Sequence, residues 1–434
     1  MRLKLETPKT FVGKFFVVLV SVGLTLLAVL LVSNFSSGEK RVDQDIPRLY
    51  SVADMQFQRS LGVLFGPTIV AGNKVDALLN GDQIFPAMLK SIREAKRSIT
   101  FETYIYWSEE IGDEMANALA ERARAGVKVH VLVDWVGSSK MDDKAIAKMK
   151  DAGVQFQQYH PLRWYTLGRI NNRTHRKLMI VDGSIGYTGG VGIAAIWTGN
   201  AQDPEHWRDS QFRIEGPVVA QMQAVFMDNW IKSTGRVLHG PEYFPLLTPV
   251  GNLSAQTFAS SPKGGTESMH LMYMMAFTAA RESIYLSSAY FVPDERTRDT
   301  LLEAMKRGVK LKIIMPGVHT DADVVRSASR GMWGELLQAG AEMYEYQPTM
   351  YHCKVMIVDG LLTSVGSTNF DDRSMRLNDE ANVNIYDAGF ARQQTAVFQA
   401  DLAKSRRITY EIWQQRPWQE KLWEHALSYM GPLL

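Results

Sequence analysis

The chain has 434 residues, of which 46% are apolar and 22% are charged, and its formal net charge at neutral pH is +2. This composition excludes a disordered chain, and the length exceeds what one ordinary core needs, so we expect two domains or a duplicated one. Its single cysteine, Cys353, excludes an intrachain disulfide and any cysteine-rich metal site, and the small net charge gives no strong sign of nucleic-acid binding.

An uncharged apolar run over residues 15–32 is the first element of the chain. Its length predicts a transmembrane helix over 15–33, preceded by a basic N-terminus over 1–14. A cleaved signal peptide is the alternative, but it would normally have a shorter apolar region and an Ala-x-Ala-like site. Basic residues are slightly more numerous before the run than after it. This bias favours a cytoplasmic N-terminus, with the body of the protein on the other side of the membrane.

Strand-like and helix-like segments alternate after a linker over 34–64. In chain order they are a hairpin over 69–75 around Gly72 and Asn73, a helix over 84–97, a strand over 98–106, a helix over 113–125 that ends at Gly126, and a strand over 127–133. This alternation predicts an α/β sandwich with a largely buried sheet.

A decapeptide occurs twice, as THRKLMIVDG at 174–183 and as YHCKVMIVDG at 351–360. In both copies a short apolar run closed by Asp-Gly predicts a buried strand that enters a tight turn. His175 and Lys177 share one face of such a strand and together suit an anion, whereas Asp182 lies on the other face. A lone strand histidine is usually structural, but a His-Lys pair repeated with the same spacing indicates a site.

The elements around the two motifs recur in the same order, which predicts a duplication with domains over 65–250 and 251–434. We expect two lobes related by a pseudo-two-fold axis, with both His-Lys pairs lining one cleft. The first half has an additional aromatic and basic segment between Pro161 and His175, including Trp164, Tyr165 and Arg169. This segment could form a lip of the site that contacts an anionic amphiphile, or it could be a surface loop without a role. The sequence favours neither alternative.

The C-terminal tail over 406–434 is rich in aromatic and basic residues, among them Trp413, Trp418, Trp423 and Tyr429. This composition suits a membrane interface. A helix packed on the core would show the same spacing, so the two interpretations stand level.

Further segments accompany the two motifs. They are NRTHRK at 172–177, WRD at 207–209 with EGP at 215–217, YFVPD at 290–294, GSTNFDDRS at 366–374, NDE at 378–380 and PLL at 432–434. Together with the His-Lys motifs they resemble the phospholipase D superfamily, and more closely its bacterial cardiolipin synthase branch, over roughly residues 65–434. The resemblance implies a duplicated α/β/α sandwich.

The resemblance also implies phosphodiester chemistry through a phosphohistidine, without a metal or other cofactor. Two histidines allow one nucleophile and one general acid, and two lysines can neutralise the phosphoryl oxygens. Relatives suggest His175 as the nucleophile and His352 as the acid. They point to Asp209 and Glu380, each beyond the histidine of its own half, as the carboxylates that orient the imidazoles.

The candidate site residues form two sets. The catalytic candidates are His175, Lys177, Asp182, His352, Lys354, Asp359, Asp209 and Glu380. The candidates for binding the substrate phosphate are Gly190, Ser367 and Asn369. Within the first set, Asp182 and Asp359 complete the motifs but look more like turn residues than reactants. The first motif of the family usually ends in Gly-Gly-x-Asn, whereas this chain has Gly192 at the last position, so we expect one amide donor fewer.

A membrane-anchored phosphatidyltransferase that makes cardiolipin from phosphatidylglycerol, in a bacterial inner membrane, is the function that the resemblance implies. A hydrolase of the same superfamily, acting on lipid or nucleic acid, is the alternative, distinguished by whether water is the acceptor. A catalytically silent membrane scaffold is a third hypothesis, raised by Gly192. The expected partners are phosphatidylglycerol and the membrane; nucleic acid is not expected.

Overall fold

The computed structural model describes residues 11–35, 44–163, 171–261 and 268–428. Most of the basic N-terminus, the aromatic part of the additional segment with Trp164, Tyr165 and Arg169, and the end of the tail from Tyr429 lie outside the described residues.

The described helices are α1 (Phe11–Phe35), α2 (Met55–Phe65), α3 (Asn80–Glu94), α4 (Glu110–Arg124), α5 (Asp143–Asp151), α6 (Val219–Thr234), α7 (Ser268–Ala279), α8 (Glu295–Lys306), α9 (Asp323–Gly331), α10 (Trp333–Gln338), α11 (Asp372–Arg376), α12 (Ala388–Leu402), α13 (Tyr410–Gln414) and α14 (Trp418–Ser428). The described strands are β1 (Val70–Leu79), β2 (Ser98–Thr103), β3 (Lys128–Asp134), β4 (Gln155–Tyr159), β5 (Leu178–Val181), β6 (Ile185–Gly189), β7 (Ser210–Glu215), β8 (Leu253–Ser260), β9 (Ser283–Ser288), β10 (Phe291–Val292), β11 (Lys310–Pro316), β12 (Glu342–Tyr346), β13 (Lys354–Val358), β14 (Leu362–Gly366), β15 (Phe370–Asp371), β16 (Glu380–Tyr386) and β17 (Ser405–Ile408).

Fifteen of these strands form one mixed sheet in the order β17-β12-β11-β9-β13-β14-β16-β8-β1-β7-β6-β5-β2-β3-β4. Apart from the edge strand β17, this order is symmetric about the β8–β1 pair. Each strand of the first half therefore has a counterpart in the second half at the same distance from the centre, for example β5 and β13. In each half three parallel strands are followed by antiparallel ones that lead to the centre. The duplicated α/β fold expected from the repeated motifs is confirmed.

Helices cover the sheet, and the described residues form four buried apolar clusters, of which three are large. One cluster belongs to the first half, around Ile99, Val131 and Met179. A second belongs to the second half and also takes in Phe57 and Leu61 of α2. The third contains residues of both halves. Because α2 packs into this core, part of the segment predicted as a linker over 34–64 is an ordered helix.

The predicted hairpin over 69–75 is wrong, because residues 70–75 belong to one strand, β1 (Val70–Leu79). The turn-like Gly72 and Asn73 instead produce an irregularity in the pairing of β1 with β8. Gly72 has a φ of 94°, and the Asn73 side chain donates to the backbone oxygens of Val70 and Leu253. A bulge uses the same residue types as a turn, which is why the sequence pattern misled.

Helix α1 is long and apolar enough, by length and composition, to cross a membrane. Its candidate span, Phe11–Asn34, has a mean hydropathy of 3.0, and none of its most apolar window is buried against the rest of the protein. The helix is therefore somewhat longer than the predicted 15–33 at both ends.

Candidate active site

A cavity of about 260 Å³ lies where the two halves meet. Side chains from both repeated motifs line it, with His175 and Lys177 from the first half and His352 from the second. Each histidine lies just before the strand of its motif, β5 or β13, rather than within the strand. The structure therefore brings the two motifs to one cleft, as the repeat predicts.

Backbone bonds between the halves hold both histidines in place. The His175 amide donates to the carbonyl of Asp379 at 2.9 Å, and the His352 amide donates to the carbonyl of Arg208 at 2.8 Å. In each case the acceptor comes immediately before a candidate carboxylate. The segment before each histidine thus lies beside the carboxylate-bearing segment of the other half.

The two carboxylates are consequently exchanged relative to the expected pairing. Nδ1 of His175 lies 2.8 Å from Oε1 of Glu380, and Nδ1 of His352 lies 2.7 Å from Oδ2 of Asp209. The expectation that each carboxylate serves the histidine of its own half is wrong. With Nδ1–H donated to a carboxylate, each imidazole has Nε2 left for chemistry.

The lysines of both motifs lie beside their histidines. Lys177 Nζ donates to the carbonyl of His175 at 3.0 Å, and Lys354 Nζ donates to that of His352 at 2.8 Å. Burial, together with the second lysine nearby, lowers the pKa of Lys177 to about 7. Burial also lowers the pKa of Lys354. Two ammonium groups held in one buried cleft favour a bound anion, because its charge offsets their repulsion.

Burial has the same effect on the histidines. It lowers the pKa of His175 to about 4, although the Glu380 carboxylate opposes the shift, and it lowers the pKa of His352, with the charge of Lys354 adding to the effect. Burial alone would raise the pKa of Glu380, but His175 and Lys177 hold it below its ordinary value. In the free protein at neutral pH, His175 is therefore a neutral imidazole with a carboxylate behind it, which is the state that a nucleophile requires.

Asp182 and Asp359 lie at the far end of their strands from the histidines. Asp182 has a φ of 52° and accepts from the amides of Lys96, Arg97 and Ser98 at 2.7–3.1 Å. Asp359, with a φ of 51°, accepts from residues 281–283 in the same way. These contacts are those of turn residues that fix the start of β2 and β9, as their sequence position suggested, and the structure does not bring them to the cavity.

Of the three candidates for binding phosphate, Asn369 alone lines the cavity, and its buried Oδ1 has no hydrogen-bond partner. The Gly190 amide donates to the carbonyl of Ser210 instead. The Ser367 hydroxyl is fully buried and donates to Oε2 of Glu380 at 2.5 Å, so it holds the carboxylate rather than facing the cavity. The sequence predicts that Ser367 donates to the phosphoryl oxygens, but the structure engages its hydroxyl with Glu380 and does not bring it to the cavity.

The cavity lining includes further residues outside the predicted site set, among them Arg173, Arg373, Tyr104 and Asn378. Arg173 belongs to the additional segment that the sequence offered as a lip or a surface loop, whereas the other three had no predicted role. Arg173 is buried and pairs with Asp134 at 3.2 Å. Three of these residues lie within segments that carry the resemblance, next to the motifs, and this proximity was the available signal. Tyr104 follows β2, and its place beside His175 depends on strand pairing that the sequence does not reveal.

Comparisons with known proteins agree with this geometry. A family model described as "Cardiolipin synthase, PLD-like domain" matches residues 88–230 and 273–402. The cardiolipin synthase of Geobacillus sp. (strain WCH70) is 36% identical over 360 residues, which are 82% of this chain and 72% of that relative. The major cardiolipin synthase of Bacillus subtilis (strain 168) is 34% identical over 365 residues, 83% of this chain and 76% of that relative.

The chain belongs to the cardiolipin synthase family of phospholipase D-like proteins. The resemblance drawn from the motifs is confirmed, and membership makes the protein a phosphatidyltransferase of that superfamily. Among solved structures, the phosphatidylserine synthase of Haemophilus influenzae aligns with a TM-score of 0.65 over 87% of this chain and 99% of its own, at 13% identity. At that identity the likeness shows the fold alone.

The departure from the usual family motif at Gly192 has a local explanation. A Cβ atom on Gly192 would lie 2.9 Å from Cζ3 of Trp197 and 3.0 Å from Cβ of Ile105. The indole of Trp197 therefore fills the space beside Gly192, its Nε1 donates to Oδ2 of Asp209 at 3.0 Å, and its ring edge faces His352. Relative to the family motif, this half of the site lacks an amide, and an indole supports its carboxylate.

Proposed function

We propose that this protein is a membrane-anchored enzyme that makes cardiolipin from two molecules of phosphatidylglycerol, by way of a phosphatidylhistidine. The observation that carries the proposal is the arrangement of His175 and His352 on one cavity, each backed by a carboxylate from the other half. Two imidazoles with opposed roles, next to two lysines, are what a double displacement at a phosphodiester needs.

In the first displacement Nε2 of His175 attacks the phosphorus of one phosphatidylglycerol. The bond between phosphorus and the headgroup glycerol breaks, and His352 gives its proton to the departing glycerol oxygen. The depressed pKa of His352 in the free protein does not conflict with this role, because a bound phosphodiester anion offsets the charge of Lys354 and favours the protonated imidazole. Lys177 and Lys354 neutralise the phosphoryl oxygens, and Asn369 supplies an amide donor.

In the second displacement a headgroup hydroxyl of another phosphatidylglycerol takes the place of the departed glycerol. His352, now neutral, removes the proton of that hydroxyl as its oxygen attacks phosphorus, and the bond between phosphorus and His175 breaks. The products are cardiolipin and one free glycerol, and both histidines return to their starting states. Attack by water instead would give phosphatidic acid, the product of the hydrolase alternative.

We further propose that α1 anchors the enzyme in a bacterial inner membrane, with the body on the non-cytoplasmic side. The support is the apolar span Phe11–Asn34 and the distribution of basic residues around it. Protease protection of the full chain in sealed, oriented membrane vesicles tests the orientation. Cleavage of the body from the non-cytoplasmic side alone is the expected result.

The reaction is tested with the purified full chain in vesicles of phosphatidylglycerol, with EDTA present throughout. We expect cardiolipin and glycerol to appear in a 1:1 ratio, and we expect His175→Asn and His352→Asn each to abolish both products. Phosphatidic acid without cardiolipin would replace the proposal by the hydrolase alternative. Normal membrane lipid composition in cells that carry either histidine variant as their sole copy would favour a scaffold role.

A further inference from the structure

Apolar side chains are exposed on segments that carry or adjoin residues of the cavity lining. Val136 and Leu162, which follow β3 and β4, are 42% and 54% exposed, and Val318, after β11, and Val324, in α9, are 65% and 44% exposed. The equivalent strands β3 and β11 thus each lead into such a segment. We call these four residues the apolar rim.

Two of the four rim residues are linked to the cavity lining, Val136 through a contact and Val324 through its chain neighbour. Asp134, at the end of β3, accepts from the Val136 amide and pairs with the cavity residue Arg173. Val324 is followed by Val325, which itself lines the cavity. The rim therefore stands at the sheet edge where the parallel strands end and the cleft opens.

The last turn of α1 is attached to the same edge. The Asn171 amide donates to Oδ1 of Asn34 at 3.0 Å, and Asn171 Nδ2 donates to the carbonyl of Asn34 at 3.2 Å. Arg373, which lines the cavity, donates in turn to Oδ1 of Asn171 at 2.9 Å. The end of the apolar span Phe11–Asn34 is thus one residue away from the cavity wall.

Exposed apolar side chains also occur away from the apolar rim, so exposure alone does not identify a membrane-binding surface. Leu246 is 95% exposed, but it follows Tyr243 and Pro245, which lie against the Gly183 turn at the opposite end of β5 from His175. What distinguishes the apolar rim is its position beside both the cavity and the end of α1. A bilayer crossed by α1 would meet the protein at this rim, where valine and leucine side chains tolerate the headgroup region.

We propose that the apolar rim rests on the bilayer surface, so that a phospholipid headgroup passes from the membrane directly into the cavity. This proposal rests on the proposed function, because it requires that the cavity binds a phospholipid. Arg173 and Arg373 in the cavity would face an arriving anionic headgroup. The site is then open towards the membrane, and the second phosphatidylglycerol arrives by the same route as the first.

Fluorescent labelling tests the contact without relying on activity. Because the single cysteine of the chain, Cys353, is buried, a cysteine introduced at an exposed position is the accessible thiol. The full chain carrying Val318→Cys or Val136→Cys, labelled with an environment-sensitive dye, is reconstituted in phosphatidylglycerol vesicles. Leu246→Cys is the matched control on the opposite edge. We expect a blue-shifted emission, quenched by lipid-borne quenchers, at positions 318 and 136 and a water-like emission at 246.

A label at 318 that behaves like the one at 246 would overturn the proposal. So would a blue shift at 318 that is already present in detergent and grows with protein concentration, since a second copy of the chain would then cover the rim. Because no turnover is needed, this readout stands apart from the assay for cardiolipin.

Activity on two physical forms of the substrate gives a second test. Val318→Asp should lower the rate on phosphatidylglycerol in bilayers by about tenfold, because a carboxylate is disfavoured at the anionic interface. The same variant should leave the rate on short-chain, monomeric phosphatidylglycerol unchanged, and Leu246→Asp should change neither rate. Equal losses on both substrate forms would contradict docking. Absence of turnover in the unmodified protein would count against the proposed function instead.

Discussion

Nδ1 of His175 lies 2.8 Å from Oε1 of Glu380, a carboxylate 205 residues further along the chain. The reciprocal pair, His352 and Asp209, crosses the same boundary in the other direction. Neither half of the duplication therefore contains both a motif histidine and the carboxylate that contacts it. Duplication within one chain secures the site, because folding of the shared sheet brings both exchanged pairs together.

Removal of the charge from either carboxylate should slow turnover without unfolding the protein. Glu380→Gln and Asp209→Asn leave Nδ1 of the imidazole without an anion and favour the wrong tautomer, so we expect kcat to fall by about 10²–10⁴-fold. Steady-state kinetics with thermal unfolding as a control checks this. An unchanged kcat in Glu380→Gln or in Asp209→Asn would argue against the role given to the exchanged pairs.

Substitution of the motif aspartates should lower the stability of the protein and leave kcat unchanged, the reverse of the effect expected for Glu380 and Asp209. Asp182→Ala removes the acceptor of three backbone amides at a left-handed turn, so we expect a loss of about 1.5–3 kcal/mol in unfolding free energy. The kcat of the folded fraction should stay close to that of the unmodified protein. Denaturant titration and an activity assay on the same samples separate the two effects. A large fall in kcat at unchanged stability would place Asp182 in the chemistry after all.

The acidic limb of the pH profile of kcat/KM should lie at a lower pH than that of an ordinary histidine. The pKa of His175 is lowered to about 4, so its imidazole remains neutral and nucleophilic until the pH falls to that region, well below 6.5. On the alkaline side two groups of the free enzyme contribute to the decline of kcat/KM: His352, whose pKa is lowered, loses the proton that it gives to the leaving glycerol, and Lys177 loses its charge above about pH 7. Lys177→Arg, which stays charged, should remove the contribution of Lys177 and leave only the decline due to His352. An alkaline limb that is identical in Lys177→Arg would show that Lys177 does not contribute to it.

Trp197 should matter through its indole nitrogen. Trp197→Phe keeps a ring beside Gly192 but removes the donor to Asp209, and the loss of one hydrogen bond to a charged group predicts about a tenfold lower kcat. Trp207→Phe is the matched control, since its ring also contacts His352. Gly192→Asn, which introduces the usual family residue, should destabilise the protein because of the clash with Trp197. Full activity and stability in Gly192→Asn would contradict this packing.

The sequence predicted the parts of the site that depend on local pattern. The two motifs, their strands and turns, the apolar N-terminal helix and the alternation of helices and strands all follow from periodicity and turn residues. It could not predict which carboxylate meets which histidine, because that choice is made by the packing of the segments around 174 and 379 and around 208 and 351 against each other. Likewise, Ser367 looks like a phosphate donor in sequence, and only the position of Glu380 shows that its hydroxyl is already engaged.

We propose that His175 carries the phosphatidyl group while His352 moves protons. Identification of the covalent intermediate tests this assignment most directly. The enzyme is mixed with phosphatidylglycerol labelled at phosphorus, quenched in alkali to preserve phosphohistidine, digested and sequenced by mass spectrometry. We expect the label on the peptide that contains His175, and we expect it to be absent from His175→Asn. Label on His352, or cardiolipin formation without any labelled histidine, would contradict the account.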